Sequence, residues 1–521
     1  MDRASFLKGS TFGIASIGAL SATEKGILAY ANEASSPGFD MEADAVVVGG
    51  GNGGLSAAAA LSGLGKTVIL LEVSGNVGGG AIWSGGVLHS GNVGDYPSYR
   101  ERSYNNAVNA GNPVLEQVYV DTFIGSYIPW LQEIGVPLTD KSAETGVPRW
   151  TFGAPDDEGG IYERAQTYFD ALESYITEKG GQILTSTRAV SLILDESDVV
   201  GILAQNVFDN SNYRIKAHNI VLACGGIQAN KGLLAQFMGK GALSAHNMGT
   251  PYNTGSGMLM GIAAGAKLSG NPTGFSGGYC LACPAGIDEY DASSYETHLA
   301  EGFSFNQSQS VYGSWVNLYS ATGEPNVVDT LFFNLEGHRF ADENDGVLNR
   351  YSLLPQKVLQ QPGGVALVVM DAEAYGEGAL PWDTAVKLGV KTVQADSIEE
   401  FAQKLYDVYG IPKGSFTREI EKYNEAVVSG TADMLDVPRS QCKRTFEIGP
   451  FYALPITCNI YYTFVGLEIN ENGQVMRLDG RPFPNLYACP PTAAMFNEVY
   501  FGGNAVAGTF GYIAAQHIAH K

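Results

Sequence analysis

The stretch that decides the fold is Asp44–Glu72, which reads DAVVVGGGNGGLSAAAALSGLGKTVILLE. Its first residues, Asp44–Val48, predict a β-strand because they are mostly β-branched and apolar. The alanine-rich segment Leu55–Leu64 predicts a helix, and Thr67–Leu71 predicts the next strand. This order of elements is typical of the start of an α/β domain.

The turn between the first strand and the helix carries the pattern G-x-G-x-x-G. Gly49 permits the tight turn, Gly51 lets the backbone approach a pyrophosphate, and Gly54 lets helix and strand pack closely. The helix N-terminus then faces the phosphates, so Asn52 and Gly53 are also assigned to the nucleotide.

Glu72 closes the second strand, about twenty residues after the turn, where an acid accepts hydrogen bonds from ribose hydroxyls. Strand, turn, helix, second strand and acid together predict a Rossmann-like dinucleotide site. A glycine-rich turn without a ligand is the alternative. The pattern alone does not separate NAD from FAD.

The composition is that of a globular protein with two or three domains. The chain has 521 residues, of which 45% are hydrophobic and 16% charged, and its formal net charge is −23. Such acidity disfavours nucleic acid and anionic membrane surfaces as partners. Apart from the N-terminus, no segment approaches the roughly 18 apolar residues that a membrane span needs.

Residues 1–34 resemble an export signal. Arg3 and Lys8 precede the small-residue apolar stretch Phe12–Ala22, and Ala29–Ala31 offers an A-x-A cleavage site. The start is similar to a twin-arginine signal in which Ala4 replaces the second arginine. We expect an exported, extracytoplasmic or cell-surface protein without an integral membrane span in its mature form. A cytoplasmic protein with a disordered tail is the alternative.

The six cysteines include one closely spaced pair, Cys280 and Cys283. Pro284 stands where a haem-attachment motif needs histidine, and no second pair suggests zinc. Ordinary thiols, a local disulfide and an iron–sulfur site completed by distant cysteines remain open. We predict no metal site.

Further motifs follow the dinucleotide turn in a fixed order. They are Gly78–Gly80, Ser84–Gly86, Thr187–Val190, Ile220–Gly226, Pro450–Ala453, Asn485–Ala488 and Gly502–Ala505. From about Asp44 to His517 the series resembles the flavoprotein family of fumarate reductases and 3-ketosteroid dehydrogenases. The resemblance implies FAD, and noncovalent binding, because no histidine stands where covalent members carry theirs.

The resemblance also assigns residues to the flavin cofactor beyond the first turn. These are Gly79, Gly80, Ser84, Gly85, Gly86, Val190, Ala223, Cys224, Gly225, Gly503, Asn504, Ala505 and Val506. The glycines leave N–H groups free for phosphate and flavin oxygens. A predicted helix, Ala507–His520, would favour negative charge on the reduced flavin through its N-terminal dipole.

The family resemblance further implies a domain that is split in sequence. Residues 40–267 and 449–521 would form the Rossmann-like α/β FAD-binding domain. Residues 268–448 would form a smaller α+β capping domain that closes over the flavin. Within the cap, Val365–Met370 predicts a buried strand, and Ser397–Tyr409 and Ser415–Val428 predict amphipathic helices.

The proton donor of the fumarate reductase branch is an arginine that follows a G-x-R-F-x-N-E motif in the cap. The motif is similar to Gly337–Glu343 here. The gapless position for the arginine is Val347, and the nearest arginine is Arg350, beside Tyr351. The resemblance therefore makes Arg350 or Tyr351 the candidate proton carrier; a solvated loop arginine is the alternative.

The substrate clamp of that branch is altered. Where relatives have H-T-x-G-G, this chain has Tyr462–Gly466, and where they have N-R-x-G-G-N, it has Val499–Asn504. Tyr462 and Tyr500 thus replace a histidine and an arginine. A tyrosine cannot provide the charge-assisted, bidentate recognition of carboxylate that arginine gives.

The Tyr500 segment instead resembles 3-ketosteroid dehydrogenases, which place a tyrosine hydroxyl against the substrate ketone.

We expect an FAD-dependent oxidoreductase that transfers hydride between flavin N5 and a C=C bond conjugated to a carbonyl. An ene-reductase of a non-dicarboxylate is favoured. Alternatives are ketosteroid-type desaturation, reduction of an unsaturated carboxylate, and a flavin-binding protein without catalysis. Electrons would come from an external electron-transfer protein or a quinone-linked donor.

Overall fold

The computed structural model describes much of the chain. The described residues are 38–89, 111–145, 148–155, 161–196, 198–282, 330–343, 353–376, 382, 390–440, 444–497, 500 and 502–521. The predicted signal segment, Cys283, Arg350 and Tyr351 lie outside these residues.

The longest strands belong to the two main sheets. They are β1 (Met41–Val48), β2 (Val68–Leu71), β3 (Val87–His89), β4 (Leu138–Asp140), β5 (Arg149–Phe152), β6 (Gln182–Leu184), β7 (Thr187–Asp195), β8 (Asp198–Asn206), β9 (Asn212–Leu222), β10 (His246–Asn247), β11 (Leu268–Ser269), β12 (Phe275–Leu281), β13 (Leu331–Phe333), β14 (Ala366–Met370), β15 (Val393–Ala395), β16 (Phe451–Thr463), β17 (Gly466–Leu467), β18 (Gln474–Met476) and β19 (Pro482–Ala488).

The helices are distributed along the whole chain. They are α1 (Asn52–Gly63), α2 (Pro113–Thr122), α3 (Ile128–Glu133), α4 (Ser142–Thr145), α5 (Ile161–Glu178), α6 (Lys231–Met238), α7 (Ser256–Ala263), α8 (Leu354–Leu359), α9 (Ala372–Gly376), α10 (Ile398–Tyr409), α11 (Lys413–Val428) and α12 (Gly503–His520). A π-helical turn, Phe123–Tyr127, joins α2 to α3, and the 3₁₀ turn Gly79–Trp83 follows β2.

The first sheet has the strand order β18-β19-β9-β1-β2-β6, and β7 and β8 extend it beside β9. β1 pairs in parallel with both β2 and β9. Val46, Val47 and Leu70 are wholly buried, or nearly so, as parallel strands covered on both faces require. This confirms the predicted α/β domain.

Helices α1 and α12 pack closely against each other beside this sheet. A Cβ on Gly511 would lie 2.1 Å from Gly53 O, and a Cβ on Gly53 would lie 3.1 Å from Ala507 O. Glycine at these contacts lets the two backbones approach. The last helix of the chain is thereby fixed against the first helix of the dinucleotide unit.

The second sheet is built around β16, which pairs with β10, β12, β14 and β15. Helices α10 and α11 cover one face of it through Phe401, Leu405, Phe416 and Ile420. The chain returns to the first sheet through β18 and β19, so the FAD-binding domain is split in sequence, as predicted. β16 begins just after the predicted boundary at 448/449 and belongs to the second sheet; the boundaries themselves stay predictions.

Several predicted elements have slightly different ends. The last helix begins at Gly503 rather than Ala507, because Gly502 takes a φ of +108° and starts the helix directly after it. The segment Met258–Ala266 also predicts a helix; α7 begins earlier, at Ser256, and ends at Ala263, just before Gly265, whose φ is +91°. The strand β14 and the helices α10 and α11 lie where they were predicted.

The cap motif Gly337–Glu343 builds a buried ion-pair cluster. Glu343 Oε2 lies 2.7 Å from Arg339 Nη2 and 2.9 Å from Arg439 Nη1. All three side chains are at least 95% buried, and Glu343 Oε1 also accepts a hydrogen bond from Phe332 N at 2.8 Å. Burial alone would raise the pKa of Glu343, but Arg339 and Arg439 hold it below its usual value. The motif therefore stabilises the cap.

Two further observations concern the described part of the chain. None of its helices combines the length and apolar character needed to cross a bilayer. Within the same residues, no group of three or more histidine, cysteine or acidic side chains is arranged to hold a metal ion.

Candidate active site

The glycine turn after β1 has the geometry that its sequence predicts. Gly49 has a φ of +104°, and a Cβ on it would lie 2.3 Å from Ala223 O. A Cβ on Gly54 would lie 1.8 Å from Gly49 O, so glycine is needed where α1 packs on the strand end. A Cβ on Gly51 would meet nothing within 4 Å. A ligand can therefore approach the backbone at Gly51.

Glu72 is held rigidly at the end of β2. Its Oε2 accepts a hydrogen bond from Gly50 N at 2.6 Å, and its Oε1 accepts bonds from Ser74 N and Oγ, both at 2.8 Å. The side chain is buried but lines the cavity described below. This position suits the predicted role toward ribose hydroxyls.

Asn52 and Asn504 connect the N-termini of α1 and α12. Asn52 Nδ2 donates to Asn504 O at 2.8 Å, and Asn52 Oδ1 accepts from Tyr168 Oη at 2.9 Å. Asn504 Nδ2 donates to Ser84 Oγ at 2.7 Å. Two helix N-termini, each with a partial positive charge, thus lie beside the glycine-rich segments Gly78–Gly80 and Ser84–Gly86.

These elements surround a cavity of about 770 Å³. The predicted site residues in its wall are Gly49, Gly51, Asn52, Gly53, Glu72, Gly79, Gly80, Ser84, Gly85, Ala223, Cys224, Gly225, Gly503, Asn504, Tyr462 and Tyr500. The wall fits FAD, because it offers open backbone at Gly51 and Gly85 and helix N-termini for anionic groups.

Other predicted residues lie outside this wall, although close to it. They are Gly54, Gly86, Val190, Ala505 and Val506. Gly86 packs against Phe152, and Ala189 rather than Val190 lines the cavity. Ala505 and Val506 are buried within α12. The proposed proton carriers Arg350 and Tyr351 lie outside the described residues, so their roles stay predictions.

An aromatic cluster occupies another part of the cavity, next to the start of α12. The rings of Tyr462 and Tyr500 have centroids 5.2 Å apart, and each also contacts Phe496. Tyr461 lies 5.6 Å from Tyr500, centroid to centroid. A Cβ on Gly503 would lie 2.7 Å from the Tyr462 ring and 2.9 Å from Tyr500 Oη. We call Tyr461, Tyr462 and Tyr500 the phenol cluster.

The hydroxyl of Tyr500 is oriented by the first residue of α12. Gly503 N donates to Tyr500 Oη at 2.7 Å. This bond uses an acceptor position of the oxygen and leaves the hydroxyl proton available for donation. Burial raises the pKa of Tyr500 to about 12, although the bond from Gly503 opposes the rise. At neutral pH the side chain is therefore a hydrogen-bond donor.

Tyr462 differs from Tyr500 in having no partner for its hydroxyl. The side chain is 5% exposed, and its Oη forms no hydrogen bond with the residues that the structure describes. Burial, and then the nearby Tyr500, raise the pKa of Tyr462 well above its usual value. A buried hydroxyl without a partner is costly, and since none of the described residues pairs with this one, the group is a candidate for contact with a ligand.

His89 and Cys224 also line the cavity, and both are uncharged at neutral pH. Burial, with a contribution from Arg149, lowers the pKa of His89 to about 4. Burial raises the pKa of Cys224 to about 12. Neither an imidazolium acid nor a thiolate nucleophile is available here. The position of His89 was missed from sequence, because β3 reaches the cavity only through its pairing with β5.

The charges in the wall are few. Among the described lining residues, Glu72 is the carboxylate and Arg188, on β7, is the guanidinium. The phenol cluster consists of neutral tyrosines, and none of the described lining residues directly before α12 is a lysine or an arginine. Tyr462 and Tyr500 replace the expected cationic clamp residues, and the phenol cluster that they form carries no cation.

The chain belongs to the FAD binding domain family, whose model matches residues 44–276 and 330–506. The vinyl phenol reductase of Lactiplantibacillus plantarum is 25% identical over 90% of this chain and 93% of that protein. The NADH:acrylate oxidoreductase of Vibrio harveyi is 25% identical over 92% of this chain. That relative is longer, and the chain spans about half (50%) of its length.

Two solved structures share the fold. A flavocytochrome c3 fumarate reductase in an open conformation has a TM-score of 0.63 at 20% identity, covering 97% of this chain and 82% of that one. The 3-ketosteroid-Δ4-(5α)-dehydrogenase of Rhodococcus jostii RHA1 has a TM-score of 0.66 at 19% identity, covering 94% and 99%. The predicted family and the FAD cofactor are confirmed, and the protein is an FAD-dependent oxidoreductase acting on C=C or CH–CH bonds.

Proposed function

We propose that the protein is an ene-reductase that saturates a C=C bond conjugated to a carbonyl in a substrate that is not a dicarboxylate. The observation that carries this proposal is the phenol cluster. Two protonated tyrosines, Tyr462 and Tyr500, border the cavity at the start of α12, and one hydroxyl has no partner there. Neutral donors suit a neutral carbonyl oxygen.

Tyr500 polarises the carbonyl in this proposal. Its oxygen accepts from Gly503 N, so its proton is directed to the substrate oxygen, on which negative charge develops as an enolate forms. The partial positive charge at the N-terminus of α12 supports the same charge. Tyr462 contributes the second hydroxyl. FAD held at the glycine turn and Glu72 would supply the hydride that is added to the double bond.

The neighbouring carbon must then receive a proton. Arg350 or Tyr351 would deliver it, as the resemblance of the cap motif suggests. His89 is a poor candidate for this step, because its pKa of about 4 leaves no proton to give at neutral pH. The protons and electrons balance as one hydride and one proton added across the double bond.

Dicarboxylates are poor substrates in this proposal because recognition of a second carboxylate needs a cation. Charge-assisted bonds from arginine are roughly twice as strong as bonds between neutral groups. Arg188 is the guanidinium of the described wall, and it lies on β7 within the motif Thr187–Val190, not in the phenol cluster. The phenol cluster does not provide an equivalent.

The reverse reaction is a second candidate, since the same Tyr500 hydroxyl would stabilise an enolate formed from a saturated ketone. Direction is set by the electron partner. We propose an external protein or a quinone-linked donor, because the sequence carries a single dinucleotide fingerprint. Rapid, saturable reduction of the flavin by NADH in the purified protein would contradict this part of the proposal.

The test is an anaerobic turnover panel with FAD-loaded protein. Reduced viologen is offered with fumarate, urocanate, a cinnamate, benzylideneacetone and a 3-keto-4-ene steroid. A saturated 3-ketosteroid with an artificial acceptor tests the reverse direction. We expect the enones to oxidise viologen faster than fumarate. Faster turnover of fumarate would show that cationic clamp residues come from elsewhere in the chain.

A further inference from the structure

Gln228 is a cavity residue that the predicted site does not include. It lies in the loop after β9 and is 2% exposed. Its Nε2 donates to Tyr461 O at 3.0 Å. This bond sets the orientation of the amide, because the reversed amide would bring two oxygens together.

The other end of the amide has no partner. Gln228 Oε1 is buried and accepts no hydrogen bond from the residues described. An amide oxygen is an acceptor only, so what is missing is a donor. A buried acceptor that stays unpaired costs stability, so in a native protein it calls for an explanation such as a catalytic role or a bound water, ion or ligand.

The loop holds this oxygen firmly against the end of β16. Ile227 N donates to Thr463 Oγ1 at 3.1 Å. A Cβ on Gly226 would lie 2.4 Å from Thr463 Oγ1 and 2.6 Å from Gln228 Oε1. Glycine at 226 therefore leaves room for the amide beside the strand that carries Tyr461 and Tyr462.

The neighbours of Gln228 connect it with the phenol cluster. Its amide binds the backbone of Tyr461, and the ring of Tyr461 contacts that of Tyr500. The wall of the cavity thus includes the tyrosines Tyr462 and Tyr500 and the amide of Gln228, whose Oε1 is an unpaired acceptor among the described residues. A ligand that satisfies both must have an acceptor and a donor at separate positions.

We infer that Gln228 Oε1 accepts a hydrogen bond from the substrate, and that the substrates are unsaturated carbonyl compounds carrying a hydroxyl or N–H donor. This inference rests on the proposed function, because it assumes that the phenol cluster binds the carbonyl. A buried site that pairs with a substrate hydroxyl rejects analogues lacking it, since its polar group is then left unpaired.

The experiment compares matched substrates. FAD-loaded protein and reduced viologen are given benzylideneacetones with a hydroxyl at the ortho, meta or para position, and the corresponding methyl ethers. We expect wild type to favour at least one hydroxyl compound over its ether, on the order of 10-fold to 100-fold in kcat/KM. Gln228→Met, which keeps the length but removes the acceptor, lowers this ratio to about one.

Gln228→Glu is the matched control. A buried glutamic acid in its protonated form keeps one carbonyl acceptor and one donor, so this variant retains most of the preference. The absorbance and affinity of bound FAD are measured in all three proteins. We expect these flavin properties to be the same in each.

The outcomes separate the two claims. If wild type reduces hydroxyl compounds and ethers equally, or if Gln228→Met leaves the ratio unchanged, the inference is wrong while the proposed function stands. Equal losses on all substrates with an altered flavin spectrum would mean that Gln228 contacts the cofactor, and would also overturn it. If wild type reduces none of these compounds, the proposed function fails and the inference with it.

Discussion

The molecule contains two buried polar clusters that differ in how their hydrogen-bonding groups are paired. In the cap, Glu343 lies between Arg339 and Arg439, and its two oxygens accept bonds from both guanidinium groups and from a backbone amide. In the cavity, the buried hydroxyl of Tyr462 forms no hydrogen bond with the described residues, and Tyr500 keeps a proton to donate.

The comparison separates a cluster that stabilises the fold from one that is prepared for a ligand. Desolvation of the cap cluster is offset within the protein, so removing one member leaves the buried groups that it contacted short of a partner. The hydroxyl of Tyr462 receives no such compensation from the described residues. Substitutions in the first cluster should therefore change stability, and those in the second should change turnover.

The largest effect is expected from Arg439→Met. This change removes one of the two cations beside Glu343 and should lower the free energy of unfolding of the cap by about 3–5 kcal/mol. Denaturant titration followed by circular dichroism measures it. Lys422→Met, which breaks the exposed pair with Asp436, is the control and should cause no measurable change. Equal effects of the two substitutions would remove the distinction.

Tyr500→Phe comes next. Loss of one donor to a developing oxyanion typically costs about 10²–10³ in turnover, so kcat/KM for an enone should fall by that factor while FAD remains bound. Steady-state viologen oxidation measures the change. Tyr423→Phe is the control, because that hydroxyl donates to Arg444 O in the cap. Retention of full activity by Tyr500→Phe would contradict the assigned role.

Tyr462→Phe should separate turnover from stability. Because this buried hydroxyl forms no hydrogen bond with the described residues, its removal should leave the free protein as stable as wild type, or more stable by about 1 kcal/mol. The kcat for the same enone should fall by about 10-fold if the hydroxyl contacts substrate. Thermal denaturation of the FAD-loaded protein and viologen turnover provide the two readouts. A clear loss of stability would mean that this phenol is structural.

The smallest effect is a pH dependence. The pKa of Glu343 in the folded protein lies below its usual value of 4.5, so its ion pairs contribute stability above that pH. This contribution is lost as the pH falls through the lowered pKa. The stability difference between wild type and Glu343→Gln should therefore shrink with acidification below about pH 4.5. A constant difference down to the acid unfolding limit would argue against an ionised Glu343.

The fold could be predicted to a large extent because its signals are local. Gly49, Gly51 and Gly54 are close in sequence, and their spacing fixes the turn between β1 and α1. The last helix was predicted to begin too late, since the boundary depends on the φ of Gly502.

The site could be predicted only in part, because its remaining members come together through tertiary contacts. Nothing in the sequence near Glu343 indicates Arg439, which lies in the loop after α11 and contacts it only in the folded chain. Gln228 directly follows the recognised strand and turn, so its position was a usable signal that the motif did not include. His89 required the pairing of β3 with β5.

The most direct test of the central claim is a crystal structure of the FAD-loaded protein with 4-phenylbutan-2-one, the saturated product of benzylideneacetone. The account predicts that the ketone oxygen lies about 2.5–3.0 Å from Tyr500 Oη, with Tyr462 Oη also paired to the ligand. A ketone bound to a cation, with the phenol cluster unchanged and Tyr462 still unpaired, would contradict the account.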